Sequence, residues 1–187
     1  RRKAEAITSK VLYYNNQNLK LFLNYLDNLD LDYKTIFEKI LYHTLLATGC
    51  RISELLALEW SDVDFQKMTI SINKTLNSNF ETNSPKSKSS YRVIDVSSDI
   101  ISDLKHYRLV QTKKAGTIIP IVFSRITKDY VDVHTLRNRL SKHCERAGVP
   151  YIGFHGFRHT HASMLLNAGI PYKELQHRLG HSKLATT

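Results

Sequence analysis

The sequence is short of the residues that interrupt or staple a chain. Only 4 prolines and 7 glycines occur in 187 residues, which excludes a disordered, linker-like composition and leaves room for long regular elements. Its two cysteines, Cys50 and Cys144, show neither CxxC nor metal-ligand spacing. A disulfide framework is thereby excluded, and reduced thiols in an intracellular protein are expected. No run of about 18 apolar residues occurs and no signal peptide opens the chain, so no membrane role is expected. Acidic residues are in deficit: 17 Asp and Glu face 27 Lys and Arg, for a net charge of +10. That imbalance points to a polyanionic partner without saying which one. The clustered carboxylates of a metal-dependent nuclease are missing too, because the acids are scattered and Asp62 and Asp64 read as turn residues.

What the sequence does have is apolar periodicity, with enough apolar residues (42%) for one generous domain or two small ones. Arg1 to Lys10 is basic and unpatterned, like the end of a linker, and the patterned domain runs from Val11 to Thr187. Leu19, Phe22, Leu23, Leu26 and Leu29 fall at helical spacing, with Asn16 as a candidate cap. Asp32 opens a second, central helix through Ile36, Phe37, Ile40, Leu41, Thr44 and Leu45, interrupted at Gly49. A short helix follows with Arg51 and Glu54 at i and i+3. Its arginine is either held pointing inward by Glu54 or part of an ordinary surface ion pair.

From Met68 to Val96 the period becomes alternating. Three strands are expected: Thr69 to Ile72, Leu76 to Thr82, and Tyr91 to Val96. Between the last two lies a polar tip with Lys86 and Lys88, either a probe for a groove in a polyanion or a solvated loop. Ser97 or Ser98 caps a helix bearing Ile100, Ile101, Leu104 and Tyr107, and residues 118–123 read as a short strand-like piece. From Asp132 to Ala147 another helix turns Val133, Leu136, Leu140 and Cys144 inward. Arg137, Arg139, Lys142, His143 and Arg146 turn mostly outward, a candidate phosphate-tracking face. A helix through His155 to Ser163 and one from Tyr172 to Leu179 complete the pattern.

His155 and Arg158 lie three residues apart, on one helix face. Such a pair suits a phosphodiester: a guanidinium holds two non-bridging oxygens while an imidazole addresses a third. Two blander readings compete. A basic helix can simply face solvent, and His155, His159 and His161 have a spacing at which zinc is conceivable. The zinc reading lacks a HExxH glutamate, and three histidines on so short a helix diverge.

Three segments decide among these: Ala47-Thr48-Gly49-Cys50-Arg51-Ile52-Ser53-Glu54-Leu55-Leu56-Ala57-Leu58, His155-Gly156-Phe157-Arg158-His159-Thr160-His161-Ala162, and Leu179-Gly180-His181-Ser182. In that order, with a lysine-tipped hairpin between the first two, they resemble the tyrosine recombinase (phage integrase) family, especially integrases of Gram-positive temperate phages and conjugative elements. The resemblance implies an α+β, mainly α-helical catalytic-domain fold with a small three-stranded antiparallel sheet. It also implies site-specific DNA recombination through a 3′-phosphotyrosyl intermediate, with no metal or other cofactor. Arg51 and Arg158 take the phosphate-gripping roles, His155 and His181 those of the two histidines, and Lys86, or else Lys88, that of the leaving-group acid. Glu54 takes the role of an acid that steadies Arg51. Gly156 stands where relatives often carry Asp, which is expected to loosen the start of its helix. The nucleophilic tyrosine of the family falls about nine or ten residues beyond the second histidine, so it is expected beyond Thr187. Implied partners are double-stranded DNA attachment sites, a homotetramer on DNA for the full-length protein and a monomer for this fragment, with accessory directionality factors. The implied location is cytoplasmic, on the nucleoid when bound. The alternative is a non-catalytic DNA-binding module.

Overall fold

A computed structural model describes residues 13–30, 32–84 and 91–180. Local chemistry sets most helix boundaries. Helix α1 (Asn16–Asp27) is capped by Asn15, whose side chain accepts from the Asn18 N–H at 2.8 Å, one residue before the expected cap. Asp32 caps α2 (Tyr33–Thr48) through the Thr35 N–H at 2.7 Å. Ser97 caps α4 (Ser98–Ala115) and Asp132 caps α5 (Val133–Ala147) in the same way. Each cap satisfies a donor that the first helical turn leaves open.

Helix α2 is the central post, buried on nearly every side and packed against α4 and α6 (Gly153–Asn167). Its Tyr42 meets Phe22 of α1 and Phe154 and Phe157 of α6, with ring centroids 6.0 to 6.4 Å apart. Tilted and edge-on aromatic packing of this kind fixes helix positions as well as burying area. Helix α5 closes against α1, and here His143 departs from its expected outward place. It is buried, with Nε2 2.8 Å from Glu38 Oε2 and Nδ1 2.9 Å from Tyr25 Oη. An inward acid on α2 accounts for this, since a buried carboxylate needs partners; Arg139 reaches the same Glu38 at 2.9 Å.

The small sheet is three-stranded and antiparallel, in the order β1 (Val63–Asp64), β2 (Thr69–Ile72), β5 (Arg92–Asp95). Its membership differs from expectation. The stretch expected to run from Leu76 to Thr82 folds back on itself as a separate ribbon of β3 (Thr75–Leu76) and β4 (Thr82–Asn83). Asn77 causes the reversal: its side-chain oxygen accepts from the Asn79 and Glu81 N–H groups, and Phe80 sits at φ 61°. Asp64 is a turn residue, accepting from Gln66 and Lys67. Asp62 is more than that, being buried and bonded to Asn73 at 2.7 Å and Lys74 at 3.0 Å. Residues 118–123 make only an isolated bridge, Ile121 with Glu59.

Candidate active site

The site forms where α2 ends, α3 (Ile52–Leu56) begins, and α6 and α7 (Tyr172–Leu179) pass by. Gly49 lets α2 end there. Its φ is +64°, and a Cβ at that position would lie 2.5 Å from His161 Cδ2 and 2.9 Å from Leu179 Cδ2. Only glycine tolerates both the backbone angle and the approach.

Two residues later Arg51 opens α3. Its backbone N–H donates to Glu54 Oε2 at 2.9 Å and its Nη1 to Glu54 Oε1 at 3.0 Å. The Glu54 side chain is 1% exposed while that of Arg51 is 41% exposed, so the acid is the fixed end and the guanidinium the presented one. The open choice at this pair resolves in favour of a steadied arginine. Burial opposes ionisation of Glu54, but hydrogen bonds and charge from Arg92, with help from Arg51, outweigh it and hold the carboxyl below its usual value.

Arg158 rises from α6 beside them. Buried, it donates through Nη1 to the Gly49 carbonyl at 2.7 Å and through Nη2 to the Leu179 carbonyl. Burial and then the charge of Arg51 lower its pKa to about 10, so it stays charged at neutral pH. Two nearby guanidiniums that penalise each other are relieved by an anion. His155, one helical turn earlier, is exposed. Burial of part of the ring, then the charges of His159, Arg158 and Arg51, push its pKa below the ordinary histidine value, which keeps the ring neutral and able to take a proton.

Arg51, His155 and Arg158 share a cavity of about 310 Å³ with Tyr13, His159 and Leu179 along its walls. The same three border a second hollow, of about 360 Å³, which Arg137 and Tyr151 complete. Three of the five expected site residues therefore converge. Lys86, its alternative Lys88, and His181 lie outside the described residues.

The zinc reading fails on geometry. The His155 and His159 rings touch, with centroids 4.9 Å apart, but His161 points into the core. Its Nδ1 lies 2.8 Å from the Leu46 carbonyl, and its Nε2 accepts from Arg178 Nε at 3.2 Å. Sequence reasoning weighed His161 only as a zinc ligand and missed Arg178 and Arg92. Arg178 also donates to the carbonyls of Ala47 and Asp95. Arg92 left a legible signal, sharing its strand face with the buried Ile94 and Val96: a charged residue on an inward face needs a partner.

A phage integrase family model matches residues 13–187. The chain belongs to this family. Among curated relatives, it is 33% identical over 170 residues to a tyrosine recombinase XerC-like protein of Caldanaerobacter subterraneus subsp. tengcongensis, covering 80% of this chain and 44% of that protein. It is 26% identical over 186 residues to the ICEBs1 integrase of Bacillus subtilis, covering 95% and 49%. The chain thus spans about half the length of the curated relatives it matches. Among solved structures, the XerA recombinase superposes with a TM-score of 0.75 at 20% identity, covering 98% of this chain and 60% of that one. The Tn1549 transposon integrase in complex with circular intermediate DNA gives 0.77 at 23% identity, covering 95% and 61%. These likenesses show the tyrosine recombinase fold, mainly helical with its small antiparallel sheet.

Against that family background Gly156 corrects one expectation. It does not loosen its helix: α6 starts earlier, at Gly153, and the Gly156 N–H bonds the Ile152 carbonyl at 3.2 Å. A Cβ at Gly156 would fall 2.5 Å from Ile152 Cβ. Glycine stands here because Ile152 folds over the helix start.

Proposed function

We propose that residues 11–187 are the DNA-breaking and rejoining domain of a tyrosine-type site-specific recombinase, and that residues 1–10 are the end of a linker to a further domain. The observation that carries the reading is the convergence of Arg51, Arg158 and His155 on one cavity. In the proposed reaction a tyrosine phenol attacks a DNA phosphorus, the bond to the 5′ oxygen breaks, and a 3′-phosphotyrosyl link conserves the bond energy. Arg51 and Arg158 offset charge building on the non-bridging oxygens, a role that metal ions fill in other nucleases. His155 takes the phenol's proton, His181 donates to a phosphate oxygen, and Lys86, or Lys88 in its place, supplies the proton to the leaving oxygen. Attack by a second 5′ hydroxyl reverses the step and joins new partners, so no ATP or cofactor is used. The nucleophile is a tyrosine following Thr187 in the native chain, as the family's spacing from His181 implies.

The substrates in this reading are duplex attachment sites of a mobile element. The Tn1549 integrase and the XerH recombinase bound to DNA support a DNA partner, and the λ integrase tetramer bound to a Holliday junction supports a homotetramer on DNA. This fragment alone is monomeric, accessory directionality factors bias the full-length protein, and the place of action is the cytoplasm, on the nucleoid. Among the described residues, no helix is long and apolar enough to cross a membrane.

The test is a nicked duplex on which the freed strand diffuses away. The native-length protein, in a chelator, should form a covalent protein–DNA adduct that survives denaturant and vanishes on protease digestion. Tight binding with no adduct would favour the non-catalytic DNA-binding module instead.

A further inference from the structure

Arg92 does nothing in the reaction just described, yet its side chain is 0% exposed and lies at the centre of the site's supports. Besides a 3.7 Å contact from Nη2 to Cys50 Sγ, its guanidinium serves two supports. Nη1 and Nη2 donate to the two oxygens of Glu54 at 3.1 and 2.8 Å, while Nε donates to the carbonyl of Arg178 at 2.7 Å. The first contact backs the carboxylate that holds Arg51. The second holds the penultimate carbonyl of α7, next to the Leu179 carbonyl that Arg158 holds. The end of α7 is thus tied to both Arg92 and Arg158. Arg92 also stands in β5, the strand by which the chain returns from the segment carrying Lys86 and Lys88.

A buried ion pair is a poor source of stability, because apolar side chains of equal volume do as well once desolvation is counted. A lysine could neutralise Glu54, but its single nitrogen cannot hold a carboxylate in the plane and reach a carbonyl on another helix at once. The fork geometry is what joins the two supports.

We propose that Arg92 is a positioning residue that fixes Arg51, through Glu54, in register with the end of α7, to which Arg158 is also tied, so that the two arginines present their charges to one phosphate. The proposal rests on the recombinase reading. Its signature is a defect in the chemical step rather than in binding or folding.

The experiment uses the native-length chain carrying its tyrosine, on a nicked duplex at saturating concentration. It compares wild type, Arg92→Lys, Glu54→Gln and the double variant. Arg92→Lys should lower the single-turnover cleavage rate by about tenfold or more, with duplex Kd within about twofold and a melting temperature within a few degrees of wild type. In the Glu54→Gln background the same substitution should cost at least about threefold less, because part of its action runs through that carboxylate. Wild-type cleavage by Arg92→Lys, a loss matched by weaker binding, or equal losses in both backgrounds would overturn the proposal. If Arg92→Lys does not fold, Arg92→Met combined with Glu54→Gln removes both buried charges together. Cleavage at or below the Glu54→Gln rate then carries the proposal, and cleavage above it overturns it. An inactive wild type would instead contradict the recombinase reading.

Discussion

Arg158 is asked to do two things at once, and its hydrogen bonds separate them. Two of its N–H groups hold the carbonyls of Gly49 and Leu179, so truncation leaves buried acceptors without that donor, at about 1–3 kcal/mol each. Arg158→Ala should therefore lower unfolding free energy by about 2–6 kcal/mol in a denaturant titration. It should also abolish strand cleavage in the native-length protein, while most duplex affinity, spread over many phosphate contacts, remains. Equal losses of cleavage and affinity would reduce this arginine to a binding contact. His161 makes a different prediction. Burial and the charge of Arg178 lower its pKa from 6.5 to about 4 in the folded chain. Above pH 6.5 neither folded nor unfolded chain protonates this ring. As pH falls the unfolded chain takes the proton first, so stability present above 6.5 drains away toward pH 4, by about 3 kcal/mol. His161→Gln, which cannot titrate, should flatten that stretch of a stability–pH curve. An unchanged slope would place the acid sensitivity elsewhere.

At the scale of elements, the Ile152–Gly156 contact decides where α6 starts and hence where His155 and Arg158 stand. Gly156→Asp, the residue expected from relatives, should destabilise the domain by about 1–3 kcal/mol through overpacking. Adding Ile152→Ala should recover part of that loss, as thermal unfolding of the two variants will read; additive losses would mean that the contact is not the cause. Helices were legible because their signals are local: Asp32, Ser97 and Asp132 cap within three residues, and apolar spacing names the inward face. Strand partners were not, because pairing is a long-range choice. The Asn77-Ser78-Asn79 turn is a local signal, but nothing around Leu76 reveals that Val63 takes the place beside Ile70. The three converging site residues were legible through family motifs, with the His155–Arg158 spacing alone pointing to a phosphate. His143 escaped because what holds it inward is a distant acid, Glu38, that no window of sequence contains, and for Arg92 the strand face is legible but its partner Glu54 is not.

Over the whole molecule, charge is the organising quantity. The excess of 27 basic over 17 acidic residues includes Arg137, exposed on α5 and lining the hollow beside Arg51. Lys142 and Arg146 are exposed on the same helix, whereas Arg139 is paired with Glu38 and His143 is buried against it. Duplex affinity should accordingly fall steeply between about 50 and 200 mM salt, on the order of a hundredfold or more. A flat salt response in a fluorescence titration would contradict an interface built on phosphates. In the proposed function, charge draws DNA to the surface and separate stretches of chain address one phosphorus. A crystal structure of the native-length protein on a nicked duplex tests it most directly. The predicted result is one scissile phosphate whose non-bridging oxygens accept hydrogen bonds from both Arg51 and Arg158, with the His155 imidazole within hydrogen-bonding reach. Finding those side chains on different phosphates, or Arg158 holding only the Gly49 and Leu179 carbonyls while DNA lies elsewhere, would contradict it.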